Sequence, residues 1–105
     1  MSDAIKHDDG KPPMHLVPRD AIESIARGLG YGAKKYSAHQ WRQGMAWSRS
    51  YAALMRHAMA WWDGEDIDPE SGLSHLDHIL CNASFLATYN AKGLGQDDRY
   101  KGEKA

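Results

Sequence analysis

The sequence predicts an all-α fold, a small bundle of three to four helices with an extended N-terminal arm. Apolar residues recur at spacings of three and four in three segments, and glycine, proline and polar residues separate these segments. No segment shows the alternation that is typical of strands. A chain of 105 residues, 42% of them hydrophobic, holds one packed domain with a marginal core. We therefore expect a homo-oligomer, a dimer or a tetramer.

Composition excludes several classes of protein. Thirteen basic residues stand against 14 acidic ones, giving a net charge of -1, so stable nucleic-acid binding is not expected. The single cysteine, Cys81, excludes an internal disulfide and suits a reducing compartment. No apolar run resembles a signal peptide or a membrane span. We expect a cytoplasmic protein without membrane contact.

The first segment, residues 1–13, is polar and contains Pro12 and Pro13, which interrupt helices. It is predicted to be a flexible arm. The domain proper is predicted to cover residues 14–93, beginning with Met14–Val17 as an extended apolar segment that packs on the bundle. Residues 94–105 have little apolar content and are predicted to be a frayed polar tail.

Helix one is predicted from Pro18 onward, because proline suits a first helical turn. Its apolar positions are Ile22, Ile25, Ala26 and Leu29. Gly28, Gly30 and Gly32 then alternate, each costing a helix about 1 kcal/mol relative to alanine. They either end the helix early or permit close approach of another backbone. The polar connection of residues 37–45 is typical of a functional loop.

Helix two is predicted to be capped by Ser48 or Ser50 and to end at Gly64. Its apolar side reads Tyr51, Leu54, Met55, Ala58, Trp61 and Trp62. After an acidic turn, helix three is predicted to begin near residues 71–73 and to stop before Gly93. Its apolar positions are Leu73, Leu76, Ile79, Leu80, Ala83, Leu86 and Ala87.

A column of metal-capable side chains accompanies the apolar stripe of helix three. His75, His78 and Asn82 are spaced three and four residues apart, which places them on one face. The short turn makes helices two and three antiparallel neighbours, so His57 can approach this column. Asp77 is rotated by about 200° from His75 and is left out of the site. The competing interpretation is that these histidines satisfy ordinary hydrogen bonds.

The acidic turn and the basic residues supply the remaining candidates. Glu65 and Asp68 lie near the predicted start of helix three, although such runs are often only solvated charge, and their spacing is not that of an EF-hand. Phosphate oxygens could be held by one of four cations, Lys34, Lys35, Arg42 and Arg56. Trp41 could stack on a base or serve as a packing lid.

Several short motifs together resemble the phage dATP/dGTP diphosphohydrolase family. They are Lys11-Pro12-Pro13 with Leu16-Val17-Pro18, Gly32-Ala33-Lys34-Lys35-Tyr36, Trp41-Arg42 with Gly44-Met45, Arg56-His57 with Trp61, and Gly64-Glu65-Asp66 through Glu70-Ser71-Gly72 to His75, His78 and Asn82. The resemblance implies metal-dependent hydrolysis of dGTP or dATP to the monophosphate and pyrophosphate in phage nucleotide metabolism.

That family is similar to the MazG-type all-α pyrophosphohydrolases, which bind magnesium or manganese through paired carboxylates on two helices. In this chain histidines stand at three of the corresponding positions. The resemblance thus implies an imidazole-rich site that favours Mn²⁺ over Mg²⁺. The metal ligands are predicted to be His57, Glu65, His75 and His78. Either Glu65 or Asp68 is predicted to orient the attacking water, and the substrate-binding set is Lys34, Lys35, Trp41, Arg42, Arg56 and Asn82.

A second function from a different class stays open on the sequence alone. A phage module that kept the helical bundle and lost the carboxylates would bind a nucleotide or a protein without turnover. A DNA-binding protein is disfavoured, because the basic residues are scattered over the chain.

Overall fold

The computed structural model describes residues 3–102 and contains three α-helices. These are α1 (Arg19–Lys35), α2 (Trp47–Trp62) and α3 (His75–Lys92), with 3-10 turns at Met14–Leu16 and Gln40–Gln43. Within the described residues the only strand-like pairings are isolated bridges, so the predicted all-α class is confirmed. The outer ends of the predicted arm and tail, residues 1–2 and 103–105, lie outside the described part of the chain.

Helix α3 is central and packs against both α1 and α2. Its contact with α1 depends on Gly28, where a Cβ atom would lie 2.5 Å from Cβ of Cys81 and 2.9 Å from the carbonyl oxygen of Asp77. A Cβ at Gly30 or Gly32 would meet nothing within 4 Å. Of the two interpretations of the glycines, close backbone approach therefore holds at Gly28, and α1 continues without interruption to Lys35.

The buried carboxylate of Asp77 on α3 is hydrogen-bonded to side chains of α1. Asp77 accepts hydrogen bonds from Ser24 Oγ at 2.6 Å and from Arg27 Nε at 3.0 Å. Burial acts to raise the pKa of Asp77, but the hydrogen bonds from Arg27 and Ser24 outweigh it and hold this pKa below its ordinary value. Asp77 therefore points toward α1, away from the histidine column, as its position along the helix predicted.

The segment after α3 is bound to the start of α2, which corrects the prediction of a frayed tail for its first residues. The backbone N–H of Trp47 donates to Gln96 O at 2.9 Å, and that of Gln96 donates to Met45 O at 3.2 Å. The Asp98 carboxylate accepts from the backbone N–H and the hydroxyl of Ser48. The cap of α2 thus comes from the far end of the chain, where a search for a local serine cap cannot find it.

The segment before α1 also differs from its prediction. Met14–Leu16 forms a 3-10 turn, with Met14 N–H donating to Pro12 O and Leu16 N–H to Pro13 O. Met14 and Leu16 are 78% and 69% exposed. The expected extended segment packed on the bundle is therefore wrong, because the carbonyl groups of the two prolines accept bonds that close a tight turn.

The apolar core is small and lies along α3. Among the described residues, Cys81 and Tyr89 are the buried apolar side chains. Tyr89 donates its hydroxyl proton to Trp41 O at 2.6 Å, and the Trp41 ring stacks on Phe85 at 4.7 Å. This cluster attaches the α1–α2 connection to α3. No helix in residues 3–102 has the length and apolarity needed to cross a bilayer.

The predicted apolar face of α2 is correct at only two of its six positions. Leu54 and Ala58 are partly buried. Five large apolar side chains of the helix are exposed, namely Tyr51, Met55, Met59, Trp61 and Trp62. Tyr51, Met55, Met59 and Trp62 recur every three or four residues and form an outer apolar stripe on α2.

Candidate functional site

The loop between α2 and α3 folds back on itself and places its acidic side chains individually. The N–H of Asp68 donates to Leu73 O at 2.8 Å, and the N–H of Gly72 donates to Asp68 O at 2.8 Å. His75 N–H donates to Asp66 O at 3.0 Å. Asp68 is consequently turned inward, with its side chain 14% exposed. For this residue the interpretation as a solvated charge does not hold.

Three potential metal ligands converge at this point. A nitrogen of His57, a carboxylate oxygen of Asp68 and a nitrogen of His78 lie within 4.8 Å of one another. The His78 Nε2 to Asp68 Oδ2 distance is 3.5 Å, and the His57 and His78 rings stack at 4.4 Å. Ligands bound at about 2.1 Å to one ion are at most about 4.2 Å apart, so a small closure suffices. Two imidazoles with one carboxylate suit a transition ion.

Glu65 and His75, two of the four predicted ligands, lie beside this triad. His75 Nε2 is 2.7 Å from Glu65 Oε1, and His75 Nδ1 is 2.8 Å from His57 Nδ1. Both nitrogens of the buried His75 are thereby engaged by the protein. The structure thus brings His57 and His78 together with Asp68, which the sequence assigned to water activation, while Glu65 and His75 form a second layer behind His57.

The electrostatics of the triad favour cation binding. Burial lowers the pKa of His57 and of His78, and the neighbouring histidines lower both values further. The Asp68 carboxylate acts in the opposite direction but does not outweigh these effects. For Asp68, burial raises the pKa, but hydrogen bonds from Glu70 N–H and the Ser71 hydroxyl, with the histidine charges, bring it below its ordinary value. Two neutral imidazoles and a carboxylate are the protonation states that a metal ion requires.

A cavity of about 710 Å³ opens beside the triad, and a second cavity of about 360 Å³ continues from it. Both share the wall formed by Tyr31, Gly32, Tyr36, Met45, Arg49, His78 and Asn82. Three cations line the larger one, Lys35, Arg49 and Arg56. The smaller one is lined by side-chain amides and aromatic rings, including Gln40, Gln43, Trp41 and Phe85. The two cavities thus form a continuous space that is lined by cations at one end and by polar and aromatic side chains at the other.

The predicted substrate-binding residues divide between the cavities and the outer surface. Lys35 and Arg56 line the larger cavity, and Asn82 lines both while donating to His78 O at 2.9 Å. Lys34 and Arg42 line neither.

Trp41 lines the smaller cavity as part of its wall. Its ring stacks on Phe85 and has the Arg42 guanidinium 4.6 Å from the ring centroid. The ring is therefore already engaged by two neighbours, which agrees better with the packing role than with a free stacking platform for a base.

Arg49 is the cavity cation that sequence reasoning missed. It lines both cavities, seven residues before Arg56 on α2. A separation of seven is close to two helical turns, so the two arginines share a side of the helix. This spacing was available in the sequence as a signal.

Comparisons with known proteins agree with the resemblance. A sequence profile described as dATP/dGTP diphosphohydrolase, N-terminal, matches residues 2–99. A protein of Salmonella phage PMBT28 named dATP/dGTP diphosphohydrolase is 35% identical over 95 residues, which is 90% of this chain. The match covers 32% of that relative, so the chain spans about a third of its length. No solved structure matches significantly.

Proposed function

The chain belongs to the dATP/dGTP diphosphohydrolase family, in its N-terminal part, and we propose that it hydrolyses purine deoxynucleoside triphosphates to the monophosphate and pyrophosphate in phage nucleotide metabolism. One observation carries this proposal. The His57, Asp68 and His78 triad opens into a cavity lined by cations, which continues into a polar and aromatic cavity. That order matches the order of triphosphate, sugar and base in the substrate.

The proposed cofactor is Mn²⁺ or Mg²⁺, held by His57, Asp68 and His78. A divalent ion bound there would neutralise phosphate charge and lower the pKa of a bound water. Imidazole ligands favour Mn²⁺ over Mg²⁺, which prefers an all-oxygen shell. Asp68, the one carboxylate of the triad, lines the larger cavity, where the phosphates are expected to bind.

Phosphate binding is assigned to Arg49, Arg56 and Lys35. The two arginines lie on one side of α2 and can each offer two parallel N–H groups to phosphate oxygens. Lys35 approaches from the end of α1, where it lies 3.5 Å from Glu70. A triphosphate that enters between the two helices would replace Glu70 as the anionic partner of Lys35.

The base is assigned to the smaller cavity. Gln40 and Gln43 line it, and their side-chain amides both donate and accept hydrogen bonds. Adenine and guanine differ in donors and acceptors at their edges, so amides at this place can select between them. Asn82 lies where the two cavities meet, at the level expected for the sugar.

We also infer a homo-oligomer in solution. The outer apolar stripe on α2 is exposed, and a chain with so few buried apolar residues gains stability by covering it. Light scattering coupled to size exclusion measures the mass directly. Met59→Glu, in the middle of the stripe, is expected to yield monomers, and an unchanged mass would place the interface elsewhere.

The primary test is incubation of the purified chain with each of the four dNTPs and Mn²⁺ or Mg²⁺, with products resolved by ion exchange. Purine dNMP with pyrophosphate supports the proposal, and nucleoside with tripolyphosphate would indicate a different metal hydrolase. Thermal stabilisation by dNTP without product would indicate the catalytically silent binding module. Lys35→Ala and Lys34→Ala form a matched pair, since only Lys35 lines the cavity, and only its loss is expected to raise KM.

A further inference from the structure

A chain of three side chains leads from solvent to the metal triad. Glu65, half exposed in the loop after α2, accepts from the buried His75, and His75 contacts His57 through the Nδ1 atoms of both rings. The two distances, 2.7 and 2.8 Å, are those of direct hydrogen bonds. His57 then belongs to the triad itself.

Proton positions along this chain follow from the bonding capacity of each group. An ionised carboxylate only accepts, so the proton of the first bond is on His75 Nε2. A neutral imidazole carries one proton, which leaves His75 Nδ1 with a lone pair. The proton of the second bond is then on His57 Nδ1, and His57 Nε2 has the free lone pair.

We propose that Glu65 and His75 are positioning residues that hold His57 in its Nδ1–H tautomer, so that its Nε2 lone pair is available to the cation. Neutral imidazole in water favours the opposite tautomer, with the proton on Nε2, and in that form this nitrogen cannot bind a metal. The chain therefore prepares the ligand before the ion arrives. Carboxylates and carbonyl groups behind metal-binding histidines commonly have this effect.

The competing arrangement has a charged His75. Its Nδ1–H would then donate to His57 Nδ1, and the proton of His57 would sit on Nε2, closing that nitrogen to the cation. A neutral His75, which donates from Nε2 and accepts at Nδ1, satisfies both observed contacts with a single proton. The two arrangements place the proton of His57 on different ring nitrogens, Nδ1 in one and Nε2 in the other, so they can be distinguished directly.

The first test observes the tautomer in the metal-free protein. Two-bond ¹H–¹⁵N correlation spectra of the histidine-labelled chain, slightly above neutral pH, report which ring nitrogen carries the proton. We expect Nδ1–H for His57 and Nε2–H for His75. In Glu65→Ala, His57 is expected to shift toward Nε2–H, whereas Asp66→Ala removes a neighbouring exposed carboxylate and is expected to change neither ring. An Nε2–H His57 in the wild-type protein would overturn the proposal.

The second test measures Mn²⁺ affinity by electron paramagnetic resonance. Glu65→Ala is expected to weaken binding by about 10- to 100-fold, the usual effect of losing such a partner. Glu65→Gln is expected to retain most of the affinity, because its amide oxygen can still accept from His75. If Glu65 were itself a metal ligand, the Gln and Ala variants would lose affinity equally, which contradicts the positioning role.

The two tests also separate this inference from the proposed function on which it rests. A wild-type chain that binds no Mn²⁺ would refute the proposed cofactor, while the tautomer spectra would still decide the positions of the protons. Glu65 is half exposed, so its variants are expected to fold, and circular dichroism checks this.

Discussion

Two adjacent residues of α3 belong to polar clusters that differ in kind. Asp77 faces α1, where Ser24 and Arg27 donate to its carboxylate. His78 faces α2 and the acidic loop, where it meets His57 and Asp68. Both residues are buried. The two clusters are separated by one step along the helix, about 100° of rotation.

The difference lies in the partners of the carboxylate. Asp77 is matched by a guanidinium, which is permanently charged. Asp68 faces two imidazoles whose pKa values burial lowers, so at neutral pH they supply lone pairs and little positive charge. The α1 cluster is complete within the protein and stabilises the fold. The α2 cluster has the composition of the cation site proposed above, and on that proposal burial of polar groups does not by itself separate structure from function.

The largest expected effect is a difference in kcat between variants of Asp68 and of Asp77. Asp68→Asn is expected to reduce kcat for the purine dNTPs by about 10²- to 10³-fold, the usual effect of losing one charge-stabilising group. Asp77→Asn, which removes the carboxylate charge of the α1 cluster, is expected to retain most of its activity below its melting temperature. Steady-state kinetics on both variants measures this. Equal losses would show that the clusters act as one unit.

Metal-dependent stability gives the next sharpest comparison. Mn²⁺ at 100 times its dissociation constant is expected to add about 2.7 kcal/mol to the free energy of unfolding, and a chelator should reverse this. The increase should persist in Asp77→Asn and disappear in Asp68→Asn. Thermal unfolding with and without the ion provides the measurement. An increase retained in Asp68→Asn would place the cation elsewhere.

Packing against α1 can be tested through its glycines. Gly28→Ala forces a Cβ against Cys81 and the Asp77 carbonyl, and overpacking of this kind costs about 1–3 kcal/mol. Gly30→Ala places its Cβ in open space and should stabilise the helix by up to about 1 kcal/mol. Urea unfolding compares the two variants. Similar stabilities would mean that α1 and α3 adjust freely, and the α1 cluster would then be less rigid than its geometry indicates.

The smallest effects are expected in the pH dependence of the metal-free protein. The folded pKa of Asp77 is below its ordinary 3.8, so its contribution to stability is present above that pH and is lost as pH falls through the lower folded value. The pKa values of His57 and His78 are also lowered in the folded protein. As pH falls below 6.5 the unfolded chain therefore takes up protons first, and the free energy of unfolding decreases.

Unfolding measured across pH should therefore show two windows of decline, a neutral one from His57 and His78 and an acidic one to which Asp77 and Asp68 both contribute. Asp77→Asn should remove its share of the acidic window and leave the neutral one. A decline near neutral pH that vanishes in Asp77→Asn would contradict the separation of the two clusters.

Local sequence pattern was sufficient for the three helices, for the end of α3 before Gly93, and for the direction of Asp77 away from the histidines. Each of these follows from helical periodicity or from a glycine in the left-handed region at φ 67°. The family also follows from the motifs, since the family profile matches residues 2–99, the stretch that contains all of them.

The pairing of residues from different elements depended on the folded chain. Asp98 caps α2 from 50 residues away, and the backbone bonds of the acidic loop turn Asp68 inward while Glu65 stays beside His75. Glu65 precedes His75 by ten residues and Asp68 precedes His78 by ten, so spacing could not choose between them. Periodicity fixes the direction of a side chain along one helix, whereas the distance between two elements is set by the loop path and by how closely the helices pack.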